Sequence, residues 1–243
     1  MLKYLIENSD LKAILKFGPQ NFFKAVDLVK TLEVVNRIRK NSSHEALWRE
    51  VCLETHDLLK DSGDRIRLDH SHRRQAQSSL SISSVQGEWI LHWFFYQIFY
   101  SRHWILDFRR KSWGLDSETW LDWAPKALYF EPSVEFKKGV QNLYLGFYLD
   151  QPELFQSGLK ALGVDPARDI LFQHFGNEDQ TAVEFRLAHL ESTFAQVFAA
   201  CAKKGVHVHA EFSALGVMLL SLYETLESAH LRLNVRKVFE NVV

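Results

Sequence analysis

Cysteine and proline are scarce in this sequence, and neither sign of charge is in excess. The chain has two cysteines and five prolines among 243 residues, with 29 basic and 30 acidic side chains. Cys52 and Cys201 lie far apart in apolar-periodic stretches, which predicts two buried free thiols in a reducing compartment. The net charge of −1 gives no electrostatic reason to expect nucleic acid or an anionic membrane as a partner.

A long apolar run and a targeting signal are also missing. Residues 1–12 lack the basic region, the long apolar region and the small-residue cleavage site of a signal peptide. The most apolar stretch has thirteen uncharged residues between Glu88 and Arg102, whereas a transmembrane helix needs about twenty. We therefore expect a soluble cytoplasmic protein without a membrane partner.

Helical periodicity dominates the rest of the chain. Apolar residues recur at helical spacing, Ser133 is placed to cap a helix, and Gly163 is placed to end one. The segment 62–87 is rich in Ser, Asp, Arg and His and breaks this pattern. We expect an all-α fold, a single globular multi-helix bundle of about nine or ten helices, with a short β-hairpin or a loop near 62–87.

The same pattern predicts the domain organisation. We interpret residues 1–243 as a single helical domain, because 243 residues are long but not too long for one domain. In the alternative, an N-terminal helical subdomain at 1–61 is joined to a core at 88–243 through a hinge or loop at 62–87. No period of 20–50 residues repeats, so a solenoid is not expected.

The most aromatic stretch is EWILHWFFYQIFYSRHWILDF, residues 88–108, in which eight of the sixteen residues from Trp89 to Trp104 are aromatic. Treated as one helix at 100° per residue, it has an apolar arc for the core and a second arc with titratable groups. That second arc is either a solvated edge or the lining of an internal polar site. If it lines a site, the candidate ligand-binding residues are Trp89, His92, Tyr96, His103 and Trp104.

Tryptophan is concentrated in the same part of the chain. Six of the seven tryptophans lie between Trp89 and Trp123, and several flank an acidic turn next to the basic patch 109–111. Aromatic rings beside arginine can stack on a flat ligand. The alternative is that these rings only fill a hydrophobic core.

Eleven histidines raise the question of a metal site. Glu88 and His92, four residues apart on one helix, could share an ion. Glu227 and His230 form a Glu-x-x-His pair near the end of a helix expected from about Ala210 to His230. A di-iron pattern needs a second such pair and two further glutamates, which we do not find. The alternative for His230 is an interaction with the helix dipole.

The tract FYLDQPELFQSGLKALG, residues 147–163, resembles the helical C-lobe of UbiB-type atypical kinases, over at most the last hundred residues. The nucleotide-binding lysine, the catalytic-loop residues and a metal-binding DFG motif are missing. The sequence ILDFR at 105–109 is a poor substitute for the last of these. The resemblance therefore implies a degenerate kinase-like scaffold.

Other catalytic motifs are also missing. The sequence has no Gly-rich phosphate loop, no G-x-S-x-G elbow and no Walker lysine. We therefore expect a non-enzymatic helical module that binds a protein partner or an apolar or aromatic small molecule, with a homo-oligomer left open. The alternative is a metal- or haem-dependent oxidoreductase, with iron or haem held in a helical bundle by Glu88, His92, Glu227 and His230.

Overall fold

The computed structural model describes residues 19–69, 81–117, 120–175 and 182–243. Within these ranges the chain is mostly helical, as the sequence predicts. The helices are α1 (Pro19–Ala25), α2 (Leu28–Ser42), α3 (Glu45–Ser62), α4 (Ser84–Tyr100), α5 (Val134–Tyr148), α6 (Pro152–Ala161), α7 (Arg168–Phe175), α8 (Leu187–Lys204), α9 (Phe212–Ser228) and α10 (Val235–Glu240). Two short 3-10 turns, Arg110–Ser112 and Asp165–Ala167, complete the helical part.

The strands are short and form three small sheets. They are β1 (Ile66–Leu68), β2 (Trp104–Ile105), β3 (Trp113–Ser117), β4 (Trp120–Trp123), β5 (Tyr129–Phe130), β6 (Val183–Glu184) and β7 (Arg232–Leu233). β3 and β4 form an antiparallel hairpin, and β1 adds to β4 in parallel with Ile66 opposite Leu121. β2 pairs with β5, and β6 with β7, both antiparallel.

The segment 62–87 contributes both a strand and a helix start. Its strand β1 pairs with β4, more than fifty residues along the chain, rather than within the segment. The last residues of the segment begin α4. There Ser83 accepts a hydrogen bond from Gln86 N–H, and the Gln86 side chain accepts one from Ser83 N–H. This reciprocal capping box satisfies two backbone donors that the first helical turn leaves open. Residues 70–80 lie outside the described part of the chain.

The prediction of one helix over 88–108 is wrong at its C-terminal end, because α4 ends at Tyr100. Ser101 already has extended backbone angles, φ −80° and ψ 141°. The side-chain oxygen of Gln97 then accepts a hydrogen bond from Ile105 N–H at 3.0 Å. Trp104 pairs with Phe130 in the β2–β5 sheet, so these hydrogen bonds hold the chain in an extended path.

The chain divides into two compact units. The first holds the described residues within 1–35, 133–180 and 186–220, and the second holds those within 36–132, 181–185 and 221–243. In the first unit α5 and α6 pack closely at glycines, and α1 packs on α8 with the Phe22 and Phe198 rings 5.1 Å apart. The caps expected at Ser133 and Gly163 are both present, the second with a left-handed φ of 65°.

Aromatic side chains fill the core of the second unit. Its largest fully buried side chains are those of Trp93, Phe94, Phe95, Trp104, Phe108, Trp123, Tyr129, Phe130 and Phe239. Rings meet edge to face, as at Phe95 and Phe239 with centroids 5.2 Å apart, or stacked, as at Trp113 and Trp123 at 5.4 Å. Such pairs stabilise a core by about 0.5–1.5 kcal/mol beyond their area burial. None of the described helices has the length and apolar character needed to cross a membrane.

Both cysteines are buried free thiols, as the sequence predicts. Burial raises the pKa of Cys52 to about 12. Burial, together with the charge of Asp165, raises the pKa of Cys201 to about 11. The thiolate is the reactive form of cysteine, so both side chains act as small apolar groups in the core.

The contact between α5 and α6 gives a stability prediction. A Cβ at Gly158 would lie 2.5 Å from Leu143 N and 2.8 Å from Gly139 O, and backbone atoms cannot move aside cheaply. We expect Gly158→Ala to lower the free energy of unfolding by about 1–3 kcal/mol. At Gly216 in α9 nothing lies within 4 Å of the added Cβ, so Gly216→Ala should stabilise by up to about 1 kcal/mol. Urea unfolding measures both, and equal effects of the two variants would contradict the close packing.

Candidate functional site

Asp107 is a buried charged side chain of the second unit that is bonded through both carboxylate oxygens. It lies fully buried in the segment 106–112 between β2 and β3, which we call the aspartate loop. Its Oδ1 accepts a hydrogen bond from Arg109 Nε at 2.6 Å. Its Oδ2 accepts from Ser112 Oγ at 2.8 Å and from Lys126 N–H at 2.9 Å. The carboxylate therefore holds the loop and the turn after β4 together.

The balance of burial and hydrogen bonding keeps Asp107 ionised. Burial by itself raises the pKa of this carboxyl, but the hydrogen bond and charge of Arg109, with the donors of Lys126 and Ser112, hold it below its ordinary value. A buried charge is tolerated when it is paired and its oxygens are hydrogen-bonded. Asp107 meets both conditions.

The aspartate loop is also fixed through its backbone. Ser221 Oγ, on the part of α9 that belongs to the second unit, donates to Leu106 O at 2.7 Å and accepts from Phe108 N–H at 3.1 Å. Thr225 Oγ1, one turn further, donates to Phe108 O at 2.6 Å. Because Ser221 and Thr225 are four residues apart, they lie on one face of the helix. That face positions the loop.

A second buried aspartate lies on β4. Asp122 Oδ1 accepts hydrogen bonds from Arg67 Nε at 3.0 Å and from Arg67 Nη2 at 2.9 Å. The same guanidinium lies over the Trp120 ring, 5.6 Å from its centroid. Arg67 is on β1, so this ion pair reinforces the parallel pairing of β1 with β4.

Two histidine–carboxylate pairs join α3, or the residues just after it, to α4, or the residues just after it. His103 Nδ1 lies 2.7 Å from Glu54 Oε2, and Glu54 Oε1 accepts from Ser101 Oγ at 2.9 Å and from Arg102 N–H. Burial raises the pKa of Glu54, but these hydrogen bonds outweigh it and the net pKa is lowered. The pair closes the C-terminal end of α4 against α3.

The second pair joins His92 to Asp64. His92 Nδ1 lies 2.7 Å from Asp64 Oδ2, and the His92 ring also hydrogen-bonds the backbone of Asn241. Burial lowers the pKa of His92, but the bond and charge of Asp64, together with Asn241, raise it overall. Burial raises the pKa of Asp64 in spite of the histidine. The Tyr96 ring lies next to this pair, 5.9 Å from the His92 ring centroid.

The structure brings together only some of the residues predicted to bind a ligand. Trp89, His92 and Tyr96 all lie on α4 and are half-buried. His103 and Trp104 follow the end of that helix, so they do not continue its arc as expected. Trp104 is fully buried in β2, and His103 is held by Glu54. Asp107, in the same stretch of sequence, lies in the aspartate loop and not on a helix.

The residues predicted to bind metal are placed differently from the expectation. α9 ends at Ser228 rather than at His230, and His230 is exposed at a left-handed φ of 52°. Glu227 is half-buried in the last turn of α9, whereas Glu88 is exposed on α4. Across the described ranges, no three His, Cys, Asp or Glu side chains are grouped as a metal site would require.

The sequence reasoning missed most of the partners in these sites. Asp64 and Glu54 lie 28 and 49 residues from their histidines, and Arg67 lies 55 residues from Asp122. No helical or strand spacing relates residues so far apart. The contact between Asp107 and Ser112 is local. The sequence feature that could have predicted it is a serine hydroxyl five residues after an aspartate.

Comparisons of the chain with family models, with curated proteins and with solved structures found no match.

The His92–Asp64 pair predicts a measurable titration. In Asp64→Asn the pKa of His92 should fall, because burial remains while the opposing carboxylate is gone. In the wild-type protein, protonated His92 stabilises the folded state. This stabilisation is complete below pH 6.5, the ordinary pKa of histidine, and is lost as the pH rises through the raised pKa of His92. NMR of the histidine ring carbons measures this titration. Glu54→Gln is the control, since it removes the other carboxylate and should leave the titration of His92 in place.

Proposed function

We propose that this protein is a binding module and that the outer face of α3 receives a protein partner. The inner face of this helix is buried through Trp48, Val51, Cys52, Thr55 and Leu59. Its outer face carries Leu47 and Leu53, which are 42% and 65% exposed. Two leucines displayed on one helix face are the observation that supports the proposal, since apolar residues at the centre of an interface supply much of its binding energy.

Acidic side chains surround the two leucines. At 100° per residue, Leu47, Glu50, Leu53 and Asp57 fall within about 120° of the helix circumference. Both carboxylates are exposed. Lys60 lies 3.6 Å from Asp57, and Glu50 interacts electrostatically with the exposed Arg102. A surface of this kind complements an amphipathic segment that carries lysine or arginine beside its apolar residues.

A second copy of α3 fits this face less well than a basic partner. Leu53 lies near the middle of the helix Glu45–Ser62. Antiparallel pairing about Leu53 would therefore bring Glu50 of one copy towards Asp57 of the other. Like charges placed together across an interface oppose binding. We therefore propose a basic amphipathic helix of another protein as the occupant.

A synthetic amphipathic helix built from leucine and lysine is the probe for this face. Leu53→Glu should weaken its binding at least about tenfold, which corresponds to about 1.4 kcal/mol, measured by fluorescence anisotropy. Val134→Glu is the matched control, because Val134 is 87% exposed on α5 of the first unit and its substitution adds the same charge.

The proposal fails if the two variants bind the peptide equally well. It also fails if a peptide with glutamate in place of lysine binds as tightly as the basic one. A concentration-dependent dimer that Leu53→Glu abolishes would instead assign the face to a second copy of the chain.

The metal- or haem-dependent oxidoreductase gains no support from the described residues, since its proposed ligands are not grouped there. A degenerate kinase-like scaffold is the second candidate. The aspartate loop lies outside the last hundred residues that carry the resemblance, and only its spacing is compatible with such a scaffold. Protein kinases carry their catalytic-loop aspartate and a metal-binding asparagine five residues apart, and the DFG motif follows. Here Asp107 and Ser112 have that spacing, with Ser112 Oγ 2.8 Å from Asp107 Oδ2. The sequence DWA follows at 122–124, and its first two residues are the last two of β4.

Both aspartates of this scaffold are held by arginines, Asp107 by Arg109 and Asp122 by Arg67. A carboxylate occupied in this way contributes to the fold rather than to phosphoryl transfer. The second candidate is therefore a scaffold of kinase-like layout whose acidic residues have become structural. It is compatible with a partner on α3, which lies elsewhere on the chain.

The structural role of Asp107 can be measured directly. Asp107→Asn should lower the free energy of unfolding by about 3–5 kcal/mol, because it leaves the Arg109 charge largely buried without its partner. The difference in the free energy of unfolding between Asp107→Asn and the wild type should be largest above pH 3.8, the ordinary pKa of the carboxyl. It should become smaller as the pH falls through the lowered pKa of Asp107, because the wild-type carboxylate is then protonated.

Asp169→Asn is the control for that measurement. The Asp169 side chain is 88% exposed beside Arg168, so its effect should stay within about 0.5 kcal/mol. If Asp107→Asn leaves stability unchanged or increases it, the carboxylate is not a structural element and the scaffold proposal is wrong.

A further inference from the structure

Residues 241–243, which follow α10, are bonded to α4, and we call them the latch segment. Tyr100 OH donates a hydrogen bond to Val242 O at 2.8 Å. The ring of His92 hydrogen-bonds the backbone of Asn241. The Val242 side chain is buried, and all these residues belong to the second unit. Two side chains of α4 therefore hold the segment by its backbone.

His92 has a hydrogen-bond acceptor on each side of its ring. Its Nδ1 lies 2.7 Å from Asp64 Oδ2, which leaves Nε2 for Asn241. The Asn241 N–H already donates to Phe239 O, so the carbonyl is the group that Asn241 offers to the ring. A carboxylate and a carbonyl only accept hydrogen bonds. An imidazole that donates to both carries a proton on each nitrogen and a positive charge.

Loss of one proton from this ring breaks one of its two hydrogen bonds. A neutral imidazole has a single N–H. The Asp64 carboxylate keeps that N–H, because its side chain is only 7% exposed and a charged acceptor forms the stronger bond. Nε2 then directs a lone pair at the carbonyl oxygen of Asn241, and neither atom can donate. The bond that is lost is therefore the one to the latch segment.

The groups that His92 bonds also control its titration. Burial lowers the pKa of His92, whereas Asp64 and Asn241 raise it, and the net direction is upward. The other titratable or charged side chains on the elements around the ring are Asp61 and Arg65 beside Asp64, Glu88, Tyr96 and Tyr100 on α4, and Arg236, Lys237 and Glu240 on α10. His92 is the one histidine of this set, so its charge is the one that changes as the pH rises from slightly acidic values.

We propose that the latch segment docks on α4 while His92 carries two protons and detaches when the ring loses one. Docked, it occupies the Tyr100 hydroxyl and one nitrogen of His92; detached, it leaves both open to another ligand. α10 itself stays in place, because the fully buried Phe239 ring packs on the rings of Phe95 and Phe99, with centroids 5.2 and 5.7 Å away. The proposal does not depend on the partner face of α3.

Methyl NMR of the full chain follows the latch segment through Val242. Below pH 6.5, the ordinary pKa of histidine, the Val242 methyl signals should have their docked positions, and they should move to released positions as the pH rises through the raised pKa of His92. The midpoint should match that of the His92 ring carbons. The ratio of docked to released molecules should fall at least about tenfold, because one hydrogen bond from a charged donor is lost. The methyl signals of Val51, fully buried on α3, should not respond.

Variants at two histidines separate the latch from a general effect of pH. His92→Gln keeps a polar side chain but cannot titrate, so the Val242 signals should stay constant between about pH 5 and pH 9. His56→Gln is the matched control, because His56 also lies beside an aspartate, 3.7 Å from Asp57, but is 48% exposed. It should leave the Val242 response intact. Tyr100→Phe removes the other bond to the segment and should lower the midpoint, since weaker docking stabilises the protonated ring less.

The wild-type titration alone can overturn the proposal, which is wrong if the Val242 signals stay constant while the ring of His92 titrates. It is also wrong if the Val51 signals change together with those of Val242, since the second unit would then open as a whole. Loss of the Val242 response in His56→Gln as well as in His92→Gln would contradict it too.

Discussion

The second unit is organised around one buried carboxylate whose charge is paired and whose oxygens are hydrogen-bonded. Asp107 accepts hydrogen bonds from the loop that carries it and from the turn after the β3–β4 hairpin. Its own backbone carbonyl accepts from Trp123 Nε1 at 3.0 Å. A buried charge needs all these donors at once, so the loop, the hairpin and the turn can adopt few other arrangements. The positions of Arg109, Arg110 and Ser112 follow from that requirement.

The two units reach stability by different means. In the first, glycines let helices approach so closely that Gly146 would place a Cβ 2.1 Å from the backbone nitrogen of Phe155. In the second, large aromatic rings fill the core, and ion pairs fix the segments between short elements. Polar groups bonded in this way specify one arrangement rather than add much net stability. The surface that we propose for binding, at α3, belongs to the second unit.

Sequence patterns predicted those features of the fold that depend only on residues close together along the chain. Helical content, the cap at Ser133 and the left-handed Gly163 follow from local spacing and backbone geometry. The end of α4 at Tyr100 does not, because it depends on strand pairing with residues 129–130. For the candidate site, the sequence singled out His92 and His103 but not their carboxylates. Those pairs form through tertiary packing, which no periodicity in the chain encodes.

Burial of both cysteines has a practical consequence for spectroscopy. Maleimide and disulfide reagents attack thiolates, which Cys52 and Cys201 form only at strongly alkaline pH in the folded protein. A cysteine introduced on an exposed helix face would therefore be the main site of attachment for a dye or a spin label. The native thiols need not be replaced first, and the aromatic and helical packing around them stays intact.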